Sequence, residues 1–199
     1  MDGLAATSGP RRALHVHTTD FRYDSLDPSA RDALAEVHRA LVTDLARNTQ
    51  IVADIAAALA KGRNCLVLTR RVAHLDPLTA MLTERGHSPL VLQGGMTTAA
   101  RRATVNQIAD AKPGDGVLVI GTTPFIGEGF DAPALDTLFL AAPISFDGLL
   151  IQCAGRVVRT APGKEVAEAH DYHDHAVPIL ATSLQRRMPG YRALGFTRV

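Results

Sequence analysis

A chain of 199 residues, 46% hydrophobic and 21% charged, is sized for one globular domain with a short extension. A net charge of +1 leaves any polyanion contact to local patches. Cys65 and Cys153 are too few for a disulfide framework or a cysteine-based metal cluster and suit buried, reduced thiols of a cytoplasmic protein. No apolar run reaches the ~20 residues that cross a bilayer, so no membrane contact is expected.

Residues 1–28 read as a leader and one short strand. Met1 to Arg12 is small, polar and basic, with no apolar core of a secretory signal. Ala13 to Thr19 alternates apolar and polar, as a half-buried strand does. His15 and His17 would share a face of it, with no third metal ligand near, so a solvent-facing pair is expected. Asp27 or Ser29 would cap a helix. Leu34, Val37, Leu41, Val42 and Leu45 form its apolar stripe, with a break near Asn48. Ile51, Ile55, Ala58 and Leu59 carry a second helix to Gly62.

From Asn64 the pattern alternates between strand and helix. Cys65–Leu68 is a continuous apolar run, as a strand covered on both faces requires. A helix follows from Val72 to Arg85, then a strand from Ser88 to Leu92 and a helix from Thr97 to Ala111. Lys112-Pro113-Gly114-Asp115-Gly116 is a turn. Val117–Ile120 and Thr137–Leu140 are two more buried strands. A helix from about Phe146, a weaker strand from Glu165 to Tyr172 and a terminal helix from Asp174 to Arg187 complete the chain. Residues 29–199 therefore predict an α/β domain, a parallel sheet flanked by helices on both faces.

In such sheets ligands bind at the carboxyl ends of strands. Four groups follow strands: Thr69-Arg70-Arg71; Gly94-Gly95 with Arg101; Gly121 to Pro133; and Gln152 to Arg159. All four are expected along one rim. Thr122, Thr123, Gly127 and Gly129 would let backbone N–H groups approach phosphates. Thr69, Arg70 and Arg101 would add a hydroxyl and positive charge. Asp131 would accept a hydrogen bond from a sugar hydroxyl. On a helix, Gln152, Arg156 and Arg159 fall on one face at i, i+4 and i+7, with Gly155 beside them leaving room for another surface. Arginine forks suit phosphate oxygens, although two arginines are also common on a solvated helix face.

These groups, in this order, resemble the second RecA-like domain of superfamily 2 DEAD/DEAH-type helicases. Leu66 to Arg71 resembles motif IV; Leu92 to Gly95 with Arg101, motif IVa; Thr123 to Gly129 with Asp131 and Pro133, motif V. Gln152, Gly155, Arg156 and Arg159 match motif VI in full. Asp171-Tyr172, Val177-Pro178, Arg186-Arg187 and Gly190 to Phe196 are similar to the tail of bacterial type III restriction subunit-like helicases. The resemblance implies a RecA-like fold of the P-loop NTPase type, here without the P-loop. It implies Arg156 and Arg159 as arginine fingers on ATP, and Gln152 at the γ-phosphate or the attacking water. Gly129 and Asp131 would lie at the nucleotide, with Asp131 on the ribose. Thr69, Arg70, Gly94, Arg101, Thr122 and Thr123 would follow the backbone of DNA or RNA. Pro124 departs from the acidic residue common after the motif V threonine, and Thr98 from a glutamine seen in some relatives.

No Gly-x₄-Gly-Lys-Ser/Thr loop occurs: Val158 and Glu165 stand at two of its required positions around Gly163-Lys164. ATP and Mg²⁺ would be held by a first RecA-like domain carrying Walker A and B motifs, and the chain alone is expected to hydrolyse negligible ATP. The alternative is a non-catalytic helicase remnant that binds nucleic acid or a partner. His170, His173 and His175 match no common zinc spacing, and no metal is expected.

Overall fold

The computed structural model describes residues 9–24, 32–123, 132–143 and 148–199; at 148–150, 152 and 153 only the backbone is described. Seven parallel strands form one sheet in the order β3-β4-β2-β5-β6-β1-β7. They are β1 (Arg11–Thr18), β2 (Cys65–Thr69), β3 (Leu90–Leu92), β4 (Leu118–Thr122), β5 (Thr137–Leu140), β6 (Val166–His173) and β7 (Thr197–Arg198). The helices are α1 (Ala33–Thr43), α2 (Leu45–Leu59), α3 (Val72–Glu84), α4 (Thr98–Ala109), α5 (Gly148–Val157) and α6 (Pro178–Ala193).

Every residue of β2, β4 and β5 is buried, which explains their unbroken apolar sequences. Strand alternation sends Leu66, Leu68, Leu138 and Leu140 to one face, where they pack with Ile108 of α4, Ala154 and Val157 of α5 and Tyr191 of α6. Cys65, Val67, Ile120 and Phe139 face the other way, against Ile51, Val52 and Ile55 of α2 and Leu75, Leu78 and Leu82 of α3. Burial there pushes the Cys65 thiol well above its ordinary pKa.

Three expectations change. The break between the first two helices falls at Asp44, not Asn48: Asp44 is extended (ψ 111°) and its carboxylate accepts from Arg47 N at 2.7 Å, capping α2. The new phase leaves Leu34 and Leu45 exposed, so the apolar stripe reduces to Val37, Leu41 and Val42. The weaker strand is in fact the eight-residue β6, inside the sheet between β5 and β1. Its polar spelling reflects partnered interior groups, not an edge. Asp27 and Ser29 lie outside the described residues.

Two ion pairs anchor β6 and its exit. Arg47 Nε and Nη2 donate to Asp174 at 2.7 and 3.2 Å, and Nη1 donates to the Ala141 carbonyl at 2.6 Å. Thr19 Oγ1 donates to the same carboxylate at 2.6 Å. Arg187 meets both Asp171 oxygens, at 2.7 and 2.8 Å, and Tyr191 Oη donates to Asp171 at 2.9 Å. Both arginines are almost wholly buried, which a charged fork tolerates only when fully paired.

Candidate functional site

Because the strands are parallel, β2, β3 and β4 end on one rim. Thr69 stands opposite Thr122, and Leu92 opposite Gly121. Thr69-Arg70, Gly94 and Thr122-Thr123 are thereby brought side by side. Gly95 has φ +82°, a left-handed backbone that glycine adopts without strain, and it turns the chain from β3 toward α4. Thr97 caps α4, its hydroxyl accepting from Ala100 N at 3.2 Å, and Arg101 follows in the first turn.

Arg70 and Arg71 are exposed and, with Leu34, Ala35 and His38 of α1, line a cavity of about 480 Å³. The contribution of α1 to this basic recess had no signal in the sequence. His38 is held neutral there: burial first, then the cations Arg70 and Arg71, bring its pKa down to about 4.

Thr69 is turned inward. Its side chain is fully buried, and its Oγ1 is 2.9 Å from His74 Nδ1. His74 Nε2 lies 2.9 Å from Asn48 Oδ1, while Asn48 Nδ2 donates to the Val42 carbonyl. Asn48 Oδ1 only accepts, so His74 carries its proton on Nε2 and Thr69 donates to Nδ1. The hydroxyl is committed to the interior, and Thr69 can meet a strand only through its backbone. Burial, then the Arg47 charge, lowers the His74 pKa to about 3. This lies below its unfolded value of about 6.5, so His74 contributes stability that is present above pH ~6.5 and lost as pH falls toward 3. Urea midpoints measured from pH 7 to pH 4 should decline for the native chain and decline less steeply for His74→Gln.

Thr122 and Thr123 are also mostly buried. Thr122 Oγ1, at the end of β4, and Gln93 Oε1, just after β3, are buried and have no hydrogen-bond partner among the described residues. Such groups cost about 1–3 kcal/mol each, which an incoming ligand can offset. Gly127, Gly129 and Asp131 lie outside the described residues.

Motif VI does not share this rim as expected. After β5 the chain must return to the amino edge to start the parallel strand β6, and α5, roughly 15 Å long at ten residues, makes that return. Arg156 is in its last turn. Arg159 lies beyond the helix end, in a turn where its N–H donates to the Arg156 carbonyl at 3.3 Å, so the i+7 helical position is not realised. Thr160 then meets the entry to β1: its Cγ2 would be 3.5 Å from a Cβ at Gly9. Arg156 is half-buried and Arg159 exposed. A Cβ at Gly155 would meet nothing within 4 Å among the described residues. Gln152 lies on the same helix, with only its backbone described.

A parallel RecA-like sheet whose β5–β6 crossover carries a glutamine–glycine–arginine motif has the architecture of a helicase C-terminal domain. The model of the helicase conserved C-terminal domain matches residues 47–161, and the chain belongs to that family. The match begins at Arg47, the buried anchor of α2. Among solved structures, T4 UvsW is similar with a TM-score of 0.73 at 18% identity, over 96% of this chain and 40% of that one. The C-terminal part of the Fun30 ATPase domain gives 0.60 at 16%, over 78% and 50%. The E. coli DEAD-box protein SrmB, solved bound to regulator of ribonuclease activity A, gives 0.57 at 16%, over 90% and 86%. At these identities the likeness is one of fold. The chain spans 40% of the UvsW chain and half of the Fun30 one. No protein of curated function matches the chain by sequence. Among the described residues no helix is long and apolar enough to cross a membrane.

Proposed function

We propose that this chain is the C-terminal half of an ATP-dependent nucleic-acid helicase or translocase. The observation that carries the reading is motif VI on α5 within a helicase C-terminal domain, with space beside Gly155 among the described residues, next to Arg156. That space suits close approach of another surface, here a first RecA-like domain with the Walker motifs. ATP would bind between the halves with its Mg²⁺ held by the first domain. Arg156 and Arg159 would offer forked donors to the terminal phosphate, and Gln152 would orient that phosphate or the water. Gly129 and Asp131 would meet the nucleotide, Asp131 at the ribose. Arg70, Arg101, the Gly94 backbone and the Thr122-Thr123 segment would follow a DNA or RNA backbone, and the Gln93 and Thr122 atoms that lack a partner among the described residues support a polar ligand at that rim. Closure on ATP and opening after hydrolysis would shift the halves along a strand.

The test is ATP turnover by the chain alone and with a first RecA-like domain, each with and without single- and double-stranded nucleic acid. Negligible turnover alone and strand-stimulated turnover by the pair are expected. Rapid hydrolysis by the isolated chain would overturn the division of labour. Strand binding with no turnover in the pair would favour a non-catalytic helicase remnant.

A further inference from the structure

β1 and β6 lie in register with His15 opposite His170 and Ala13 opposite Glu168. Alternation turns Glu168, His170 and Tyr172 to one face of β6, and His15 and His17 to the same face of β1. The interior of that face is covered by α2 and α3 as far as Phe139 and Tyr172. His15, half-buried, stands beyond them, and the His170 ring stacks between Phe139 and His15, with centroids 4.3 and 4.6 Å away.

One ligand atom from each of His15, Glu168 and His170 lies within 4.8 Å of the other two. The Glu168 carboxylate is divided in its contacts. Oε1 accepts from Arg63 Nη2 at 2.8 Å, whereas Oε2 lies 3.5 Å from His170 Nε2. At that length the contact is no good hydrogen bond, and His170 Nε2 is a buried nitrogen with no partner among the described residues. The other His170 nitrogen, Nδ1, is 2.9 Å from His17 Nε2. His17 Nδ1 is 3.5 Å from Asp54 Oδ2, and Tyr172 Oη donates to that same oxygen at 3.0 Å.

The His17–Asp54 and His170–Glu168 contacts are equally long, so two proton orders fit the chain. In one, His17 Nε2–H donates to His170 Nδ1 and His170 Nε2–H faces Glu168. In the other, His170 Nδ1–H donates to His17 Nε2, His17 Nδ1–H faces Asp54, and His170 Nε2 holds a lone pair toward the carboxylate. A cation between His170 Nε2 and Glu168 selects the second order. A carboxylate–imidazole chain behind a ligating histidine is the usual means of setting its tautomer.

We propose that His15, His170 and Glu168 bind a divalent transition-metal ion, with Asp54 and His17 as positioning residues behind His170. Two imidazoles and one carboxylate suit Zn²⁺ and its neighbours, and do not suit Mg²⁺ or Ca²⁺, which take all-oxygen shells. Bonds of about 2.0–2.1 Å require the ligand atoms to draw to about 3.3 Å of one another. Half-buried His15 has the freedom to turn inward for this. Three protein ligands leave a fourth position for water or a group from another surface.

The test is titration of the full chain with Zn²⁺ by calorimetry, and with Co²⁺ by visible absorption. Stoichiometric Zn²⁺ binding is expected, together with the intense visible bands of four-coordinate Co²⁺. His15→Ala and His170→Gln should each weaken Zn²⁺ at least tenfold. Asp54→Asn should weaken it about tenfold, as loss of such a supporting carboxylate does. The His173–His175 pair, with rings 6.1 Å apart, is the competing binder, and the His173→Ala/His175→Ala double variant should bind as the native chain does. The proposal is overturned by absence of Zn²⁺ binding, by a Co²⁺ spectrum unchanged from the aqueous ion, or by affinity that follows His173 and His175. The Co²⁺ spectrum is read on the unaltered chain, so it stands even where a variant fails to fold.

Discussion

Asp174→Ala is expected to cost about 3–5 kcal/mol, the usual penalty for stranding a buried charge. The Arg47 and Asp174 side chains are both fully inaccessible, and the pair is joined by two donors, at 2.7 and 3.2 Å. Removing the carboxylate leaves a guanidinium in the interior that cannot shed its proton, with the Ala141 carbonyl and the face of Tyr172 as its remaining contacts among the described residues. It also strips the Thr19 hydroxyl of its acceptor. These contacts tie α2, the exits of β1 and β5 and the start of α6 together. A loss of that size is a large part of the ~5–15 kcal/mol that stabilises a typical domain. Urea unfolding followed by circular dichroism would measure it. The double replacement Arg47→Met/Asp174→Leu should recover much of the loss, since it removes both charges and keeps the volume. A loss under about 1 kcal/mol in the single variant would mean that water reaches Arg47.

The second large effect is functional and rests on the proposed role of α5. In a reconstituted pair with the first domain, Arg156→Ala should lower kcat by about 10³–10⁵, the range for removing an arginine finger. The fold should survive, because Arg156 is half-buried near the end of α5 and, among the described residues, Ala154 and Val157 make the core contacts of that helix. Arg156→Lys should recover little of the rate, since an ammonium lacks the planar fork. Turnover measured at saturating ATP separates this from weakened binding: kcat should fall much further than KM changes. Undiminished turnover with an intact circular dichroism spectrum would remove Arg156 from the reaction.

What was legible along the chain follows from the range of each interaction. β2, β4 and β5 were readable because a strand covered on both faces has to be apolar at every position. α3 and α4 were readable because their ends depend on neighbours: Thr97 caps α4, and Gly86 and the Lys112–Gly116 turn follow the helices. β6 was underrated for the converse reason. Asp171 and His170 look like surface residues until Arg187, Tyr191 and His17 are brought to them through the fold. Thr69 looked like a phosphate contact because it ends a strand beside two arginines, and its commitment to His74 depends on where α2 places Asn48.

The motifs and their order were determined by the sequence by itself, as were the alternation that makes the sheet parallel and the absence of a phosphate loop among these residues. Each rests on residue type and short spacing, which survive without coordinates. Only the tertiary structure decided which groups meet. It set β1 against β6 across about 150 positions of chain, gathering His15, Glu168 and His170. It buried Arg47 beside Asp174, and it used α5 to carry Arg156 away from the rim that holds Gly94 and Thr122. Contacts between distant segments depend on strand order and crossover direction, and these are settled by packing of the whole sheet, not by any local run of residues.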